Sequence, residues 1–381
     1  MNNMNPDGKS RRRFIHDLGF TAMGIPLLSS LSNNDSLFNE EKKQKIKNGK
    51  EPGKLGIAVV GLGTYGTLVS TALEQTNHCY LAGIVSGTPA KVDKWKTKYS
   101  LPDKNIYTYQ NFDSIKNNPD IDIVYITLPN SMHAEYVIRA AQAGKHVFCE
   151  KPMAITVADC DRMIAACKKA NRVLYVGYRL RYEPYNTYMA WLGQNKIYGD
   201  VKKMNAGFSF VIGDPTQWRL KKDMAGGGPL MDLGIYCVQG FEYVTGMDPI
   251  SVTAKEGPKT NLEKFKEVEQ SVSWQFEFPN GIIADGNCSY ADNANMLRAE
   301  AEKGIFELTS AFNYTGQRGN TPDGPINLPK YNQQGRQVDA MAYALKTKGK
   351  IYTDGEMGKK DVKYLQAIYE AMRTGKKVML K

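Results

Sequence analysis

The 381-residue sequence has few of the residues from which metal centres are usually built. It contains six cysteines and four histidines. No two cysteines form a Cys-x-x-Cys pair, and the histidines form no His-Glu-x-x-His motif. Zinc sites need several such ligands at short, regular spacing. We therefore predict no metal site.

Long apolar runs and compact basic blocks are also missing. The most apolar N-terminal run, residues 18–31, is too short and too polar for a stable membrane span. The net charge is +11, but beyond the leader the lysines are scattered rather than clustered with aromatic residues. We therefore expect neither a membrane span nor a nucleic-acid partner.

The N-terminus resembles an export signal. Arginines at 11–13 precede the weakly apolar run at 18–31, as in twin-arginine signals. We therefore assign residues 1–31 to a twin-arginine signal and expect a periplasmic protein. The alternative is a chance basic N-terminus on a cytoplasmic protein. Residues 32–54 are polar and are expected to form an arm or linker.

A glycine-rich turn follows the first clear strand. The apolar run at 55–60 leads into Gly-Leu-Gly-Thr-Tyr-Gly at 61–66, and a helical pattern follows at 67–75. This G-x-G-x-x-G, between a strand and a helix, is typical of dinucleotide binding. Its glycines permit the tight turn, the approach of a pyrophosphate and close helix packing. The predicted contacts are Gly61, Gly63, Thr64, Tyr65 and Gly66.

The end of the next predicted strand, 80–85, favours NADP over NAD. An NAD site usually offers an acidic residue here for the ribose 2′-hydroxyl, and none is present. Ser86, Thr88 and Lys91 suit a 2′-phosphate instead, because an ammonium attracts it and a carboxylate would repel it. We predict contacts from Ser86 and Lys91. The alternative is that Ser86 and Thr88 only cap the following helix.

The order of apolar patterns predicts two domains. Strands and helices alternate up to residue 178, which indicates an α/β Rossmann domain with a doubly wound parallel sheet at 55–178. From residue 200 onward, long alternating runs predict an α+β domain at 179–381 with a large, open, mainly antiparallel sheet. Such a sheet often dimerises, so we expect a homodimer or homotetramer. Predicted strands of this second domain are 201–211, 268–278, 282–290 and 304–309, and predicted helices are 337–348 and 359–373.

Two short stretches contain candidate catalytic residues. Glu150-Lys151-Pro152 follows a buried strand, at the edge of a parallel sheet where ligands bind. In the second half, glycines 226–228 lead into a helix on which Asp232 and Tyr236 lie four residues apart and share one face. An acid and a phenol there can reach the same ligand carbon. The alternative is a capping Asp and a half-buried Tyr.

Five motifs together resemble the Gfo/Idh/MocA oxidoreductase family. The resemblance spans nearly all of the chain beyond residue 54 and implies a Rossmann domain, an open-sheet domain and NADP between them. It also implies a small-molecule sugar as substrate. The motifs are Gly61–Gly66, Pro129–Glu135, Gly144–Val147, Glu150–Pro152 and Gly226–Tyr236.

The family resemblance implies specific roles for residues of both domains. Lys151 is expected beside the nicotinamide and the reacting sugar carbon, with Asp232 and Tyr236 opposite. A free phenol has a pKa of about 10, and a nearby ammonium favours its anion. We therefore assign Tyr236 as general acid/base, Lys151 as its electrostatic partner, and Asp232 as the residue that orients the sugar. Glu150 is expected to fix Lys151 or the nicotinamide ribose. Further expected cofactor or sugar contacts are Leu128, Pro129, Asn130, His133, Arg179, Trp218 and Arg219.

These features predict an exported enzyme that keeps its NADP and cycles it, oxidising an aldose at C1 and reducing a second sugar. Three alternatives stay open. One is an ordinary sugar or polyol dehydrogenase with exchangeable NAD(P), and another is a non-catalytic sugar- or nucleotide-binding protein. The third, a redox-assisted glycosidase, is disfavoured because Gly234-Ile235-Tyr236-Cys237 lacks the histidine typical of those enzymes.

Overall fold

The computed structural model describes residues 50–380. The predicted export signal and nearly all of the polar arm lie outside these residues. Within them, no helix is both long enough and apolar enough to cross a membrane.

The first half forms a parallel sheet with strand order β3-β2-β1-β4-β5-β6. Helices lie between consecutive strands, as the alternation of patterns predicts, and the predicted doubly wound α/β domain is confirmed. The strands are β1 (Leu55–Val60), β2 (Cys79–Val85), β3 (Ile106–Tyr107), β4 (Ile123–Ile126), β5 (His146–Glu150) and β6 (Leu174–Gly177), and the helices are α1 (Thr64–Leu73), α2 (Pro89–Tyr99), α3 (His133–Gln142) and α4 (Val157–Lys169).

Alternate residues of each strand enter two different cores. Ile57 and Val59 of β1 pack in one cluster, which also contains Val69 of α1. Their neighbours Ala58 and Val60 pack in the other, with the residues of α3 and α4. Strands buried on both faces read as continuous apolar runs, which is why these strands were visible in the sequence.

The second half forms a nine-stranded sheet in the order β14-β13-β12-β11-β7-β10-β9-β8-β15. Its pairs are antiparallel except for β7 with β10, which run parallel. The predicted large, mainly antiparallel sheet is therefore confirmed. The strands are β7 (Val201–Ser209), β8 (Ser251–Glu256), β9 (Ser271–Glu277), β10 (Ile283–Ser289), β11 (Ala294–Ala301), β12 (Gly304–Thr309), β13 (Arg318–Thr321), β14 (Gly324–Pro325) and β15 (Val378–Met379).

Besides the short helix Lys222–Ala225, four longer helices accompany this sheet in the chain, and one of the four packs elsewhere. They are α5 (Pro184–Gln194), α6 (Ile235–Thr245), α7 (Gln333–Thr347) and α8 (Gly355–Thr374). Val338 and Met341 of α7 pack against the first sheet. The boundaries drawn from the sequence place α7 in the second domain, and the structure corrects this: the chain returns to the Rossmann domain because the apolar face of α7 completes its core.

Candidate active site

The glycine-rich loop has the geometry of a phosphate cradle. Gly61 has a φ of +95°, which favours glycine. A Cβ on Gly66 would lie 2.3 Å from the Gly61 carbonyl oxygen, whereas one on Gly63 would meet nothing within 4 Å. Gly63 precedes α1 and no side chain caps the helix there. The first amides of α1, from Thr64 onward, therefore face open space that an anionic phosphate can fill.

Tyr65 places an unpaired hydroxyl between this loop and the second domain. Its hydroxyl oxygen is buried and has no hydrogen-bond partner in the described part of the chain. Its ring lies 6.4 Å from the ring of Tyr314. This hydroxyl lies close to Glu150 and Tyr125, so the open space above Gly63 alone fits a bound dinucleotide.

The end of β2 fits a 2′-phosphate. Ser86 is buried, and its hydroxyl accepts a hydrogen bond from the Thr88 amide at 3.1 Å. Thr88 occupies the N-cap position of α2, but its side chain does not cap the helix, so the capping alternative does not hold for Thr88. Lys91 is exposed in the first turn of α2. The helix start, a hydroxyl and an ammonium thus converge at this edge.

The loop after β4 divides into lining and positioning residues. Pro129 is partly exposed, and Leu128 beside it is buried. His133 is fully buried, with Nδ1 3.0 Å from the Pro152 carbonyl and Nε2 2.9 Å from the Leu128 carbonyl. Burial lowers the pKa of His133. A neutral imidazole has a single N–H, so His133 donates to one of these two carbonyls and lies close to the other. His133 therefore packs between the two loops, and its contact with the cofactor stays a prediction.

Asn130 joins the two domains. Its Nδ2 donates to the main-chain carbonyl of Ala225 at 2.8 Å, and the side chain is buried. This carbonyl immediately precedes the glycine-rich segment 226–228. Asn130 therefore holds the second domain against the loop, and its cofactor contact stays a prediction.

Glu150 lies beneath the loop at the end of β5. Its carboxylate accepts a hydrogen bond from the Tyr125 hydroxyl, which in turn accepts one from Gln337 Nε2 of α7 at 2.8 Å. Burial raises the pKa of Glu150 to about 7, although the Tyr125 hydrogen bond and the Lys151 charge oppose this. A carboxyl group that can carry a proton near neutral pH is thus placed next to Lys151.

Lys151 connects the two domains at the centre of the site. Its Nζ donates to the main-chain carbonyl of Asp232 at 2.8 Å and to the Asp232 carboxylate at 3.1 Å. The same Nζ lies 4.6 Å from the centre of the Tyr236 ring. The predicted grouping of Lys151, Asp232 and Tyr236 is present in the structure.

The Asp232 carboxylate is held by three protein donors. Besides Lys151, Arg219 Nε donates to it at 3.0 Å and the Tyr290 hydroxyl at 2.9 Å. Burial alone would raise the pKa of Asp232, but Arg219 and Lys151 outweigh it and hold the pKa well below its usual range. Asp232 therefore orients Lys151 and Arg219, and its role in orienting the sugar stays a prediction. The Arg219 guanidinium also stacks on the Trp218 ring at 4.6 Å.

Arg179 rather than Lys151 contacts the Tyr236 hydroxyl. Arg179 Nε donates to this hydroxyl at 3.2 Å. The guanidinium lies between two aromatic rings, 4.7 Å from that of Tyr236 and 4.6 Å from that of Tyr314. Its Nη1 donates to Gln333 Oε1 of α7 at 2.6 Å. Arg179 is buried and fixes the phenol, and its contact with the cofactor or the sugar stays a prediction.

A π-helical turn at Leu230–Gly234 presents Asp232, a feature frequent at functional sites. Glu269 holds the segment that leads into this turn. Its Oε1 accepts from the amides of Gly228 at 3.0 Å and Leu230 at 3.1 Å, and from the Tyr369 hydroxyl at 2.8 Å. A Cβ on Gly227 would lie 1.9 Å from that hydroxyl, so the segment requires glycine.

Several residues of the site could not be predicted from the sequence. Tyr290, Glu269, Tyr125, Gln333 and Gln337 reach the site through contacts between residues far apart in the chain, and no local motif marks them. Among residues 50–380, no group of three or more His, Cys, Asp or Glu side chains is placed to hold a metal ion.

Comparison with known proteins gives two family matches along the chain. Residues 55–178 match the Gfo/Idh/MocA oxidoreductase family with its NAD-binding Rossmann fold, and residues 189–307 match the C-terminal domain of the same family.

A solved structure is similar over the whole described region. It is an aldose–aldose oxidoreductase from Caulobacter crescentus, complexed with glycerol, with 41% sequence identity and a TM-score of 0.84. The match covers 86% of this chain and 100% of that protein.

The names of two relatives state that they use NADP(+). The D-xylose 1-dehydrogenase (NADP(+)) of Haloarcula marismortui is 27% identical over 340 residues, covering 85% of this chain and 92% of the relative. The D-xylose 1-dehydrogenase (NADP(+)) 2 of Haloferax volcanii is 26% identical over 338 residues, covering 86% and 99%.

Proposed function

The chain belongs to the Gfo/Idh/MocA oxidoreductase family, and on that premise we propose that it transfers hydride between C1 of an aldose and a tightly bound NADP. It is a sugar oxidoreductase that acts on CH–OH groups and uses NADP. The finer proposal is that a second sugar takes the hydride back, as in enzymes of the glucose–fructose oxidoreductase type.

One arrangement carries this proposal: the Lys151 ammonium is held by Asp232 and lies over the Tyr236 ring, at the carboxyl end of β5. In an open parallel sheet this edge is the ligand edge. The phosphate cradle at Gly61–Gly66 lies on the same edge, because β1 and β5 run parallel in one sheet. A dinucleotide on that cradle would therefore have its reactive end within the cleft that Lys151 and Tyr236 share.

Each residue then has a definite task. The nicotinamide, when bound, accepts and returns the hydride. Tyr236 exchanges the proton of the sugar hydroxyl as general acid/base. Lys151 and Arg179 both lie close to the phenol ring, where they stabilise the negative charge that develops during proton transfer. Asp232 keeps Lys151 in place, and Arg179 keeps the phenol oxygen in place.

The predicted export signal favours coupled turnover. A twin-arginine route carries folded protein, so NADP bound in the cytoplasm would travel with it. Outside the cytoplasm little free NADP is available for exchange, and an enzyme there would have to regenerate its cofactor with a second sugar. We propose a periplasmic location on this basis. Fractionation of the cells tests it, and a wholly cytoplasmic protein would refute it.

An ordinary sugar dehydrogenase with exchangeable NADP is the second candidate. Two relatives are named as D-xylose 1-dehydrogenases, which favours a reaction with one sugar and free cofactor. The two candidates differ in whether NADP leaves the enzyme at each turnover, and they share the residues described above.

Cofactor release and sugar pairing distinguish the candidates. The protein is purified without added nucleotide and denatured, and the released cofactor is identified by mass spectrometry. Pairs of aldoses and ketoses are then tested without added NADP. Stoichiometric NADP and turnover with sugar pairs support the coupled reaction. Cofactor-free protein whose activity requires added NADP supports the dehydrogenase.

We also propose that the chain forms a homodimer or homotetramer through the nine-stranded sheet. Charged and polar side chains such as Arg298 and Glu307, which pair at 3.3 Å, lie on one face. The measured mass in solution tests this: a monomer at working concentration would contradict it.

A further inference from the structure

A cavity of about 300 Å³ opens at the amino ends of the strands of the first sheet. It lies where β1 and β5 begin, at Leu55 and His146, and Lys346 of α7 closes one side. This edge is opposite to the carboxyl edge that holds the candidate active site. None of the residues assigned to the sugar or the cofactor lines it.

The titratable residues that line this cavity are mostly basic. They are Lys145, His146, Arg172 and Lys346, with Asp122 as the one acid among the lining residues. Asp122 is already committed, because Lys50 Nζ donates to Oδ1 at 2.7 Å and the Gly56 amide donates to Oδ2 at 2.9 Å.

Backbone carbonyls hold the cations in place without neutralising them. Lys145 is only 8% exposed, and its Nζ donates to the carbonyls of Asn118 and Ile121, both at 2.8 Å. One hydrogen of this ammonium is left over. Burial lowers the pKa of Lys145, and Asp122 opposes this only in part. The cavity thus contains a buried ammonium whose charge no nearby free acid matches.

Arg172 and Lys346 bring further donors. Arg172 Nε donates to the Gly144 carbonyl and Nη1 to the Asn171 carbonyl, while Nη2 has no hydrogen-bond partner among residues 50–380. Lys346 Nζ donates to the Gly53 carbonyl at 2.6 Å, which leaves two hydrogens. The His146 Nδ1 accepts from the Val173 amide at 3.1 Å, so its ring hydrogen is on Nε2.

We propose that this cavity binds a small oxyanion, a phosphate or a carboxylate group, held by Lys145, Arg172 and Lys346. A planar guanidinium and ammonium groups are the donors that such anions prefer. The cavity is large enough for inorganic phosphate or a small carboxylic acid. The site is independent of the proposed sugar reaction.

Two sources could supply this chemistry. One is a free oxyanion. The other is the chain itself, since Glu40 and Glu41 precede Lys50, whose ammonium contacts Asp122 at the cavity. Four lysines stand between these glutamates and Lys50, so the charge pattern favours the free oxyanion as the source.

Thermal unfolding of the full-length, NADP-loaded enzyme tests the proposal, because loading fills the nucleotide phosphate sites. Inorganic phosphate is titrated against sodium chloride of equal ionic strength. We expect the unfolding midpoint to increase steadily with the logarithm of phosphate concentration. This increase should occur in wild type and in the control Lys376→Gln. The rise should disappear in Arg172→Gln/Lys346→Gln. Because Arg172 also braces two turns, Lys346→Gln alone provides a milder variant, expected to weaken phosphate binding roughly fivefold.

The second arm identifies the source. If Glu40 and Glu41 fill the cavity, phosphate should not stabilise wild type but should stabilise the double variant Glu40→Gln/Glu41→Gln. That stabilisation should disappear when Arg172 and Lys346 are also replaced. That result supports the site with an internal ligand. If phosphate and chloride act alike, or if the phosphate effect survives Arg172→Gln/Lys346→Gln in both backgrounds, only an adventitious ion is present and the proposal is overturned.

Discussion

Lys151 donates from one ammonium to both the carbonyl and the carboxylate of Asp232, at 2.8 and 3.1 Å. A residue at the ligand edge of the Rossmann sheet is thereby fixed by a single residue of the second domain. The position of Lys151 over Tyr236 consequently depends on the contact between domains, and changes at Asp232 should act on catalysis through Lys151.

Asp232→Asn should lower kcat by roughly 10²-fold and destabilise the protein by about 3 kcal/mol. The substitution keeps the shape of the side chain but leaves the buried Lys151 and Arg219 without their shared anion. The initial rate and urea unfolding measure both effects. Asp161→Asn removes an exposed pair with Lys359 and is the control. Equal effects of the two variants would show that Asp232 has no special role.

Glu269→Leu should reduce activity and destabilise the protein by on the order of 3 kcal/mol, because two buried amides and one phenol lose their acceptor. Glu269→Gln keeps an oxygen for the amides of Gly228 and Leu230 and should recover most of both losses. Tyr369→Phe removes one of the three donors and should fall between them. If the loss of activity is no larger than the loss of folded protein, or if Glu269→Gln is as impaired as Glu269→Leu, Glu269 does not position the turn.

Glu150 should make stability fall as pH rises through its folded pKa. Burial raises this pKa from 4.5 to about 7. The unfolded chain therefore releases the proton before the folded one does. The contribution is full below pH 4.5 and lost above about 7. Relative to wild type, the free energy of unfolding of Glu150→Gln should therefore rise by on the order of 3 kcal/mol between these limits. Urea unfolding across this range measures it, and parallel profiles would exclude a raised pKa.

The start of α2 should select NADP. Lys91→Gln should weaken NADP binding roughly tenfold, with little effect on NAD, because only NADP carries the 2′-phosphate. Ser86→Asp should reverse the preference by placing a carboxylate near the ribose. Lys98→Gln, in the last turn of the same helix, is the control. Equal losses for NADP and NAD in Lys91→Gln would place the 2′-phosphate elsewhere.

Local motifs in the sequence predict the parts of the site that lie next to each other in the chain. The turn at Gly61–Gly66 is recognisable because its glycines serve the backbone itself. Lys151 is recognisable because it follows a buried strand, and Asp232 with Tyr236 because four residues bring two side chains to one helix face.

The supporting contacts cannot be predicted in this way. Gln337 reaches Tyr125 across 212 residues and Arg179 reaches Gln333 across 154, and both depend on the return of α7 to the first sheet. The backbone contacts of His133 and Asn130 cannot be predicted either, because the sequence of a polar residue in a ligand loop does not show which backbone carbonyl it contacts.

Helix boundaries were shifted where side-chain caps decide them. The helix expected from residue 359 begins at Gly355, since the Asp354 side chain accepts from the Met357 amide. The helix expected from residue 67 begins at Thr64 without such a cap. That difference follows from the turn, which directs the first amides toward the phosphate cradle.

The central claim is that Tyr236, beside Lys151 and Arg179, exchanges the proton while hydride moves between the sugar and bound NADP. The most direct test is single-turnover reduction of enzyme-bound NADP after an aldose is added, followed by the absorbance of the reduced nicotinamide, in wild type and Tyr236→Phe. We predict equal NADP content in both proteins and a rate at least roughly 10²-fold lower in Tyr236→Phe. Reduction at the wild-type rate in a cofactor-loaded Tyr236→Phe protein would contradict the account.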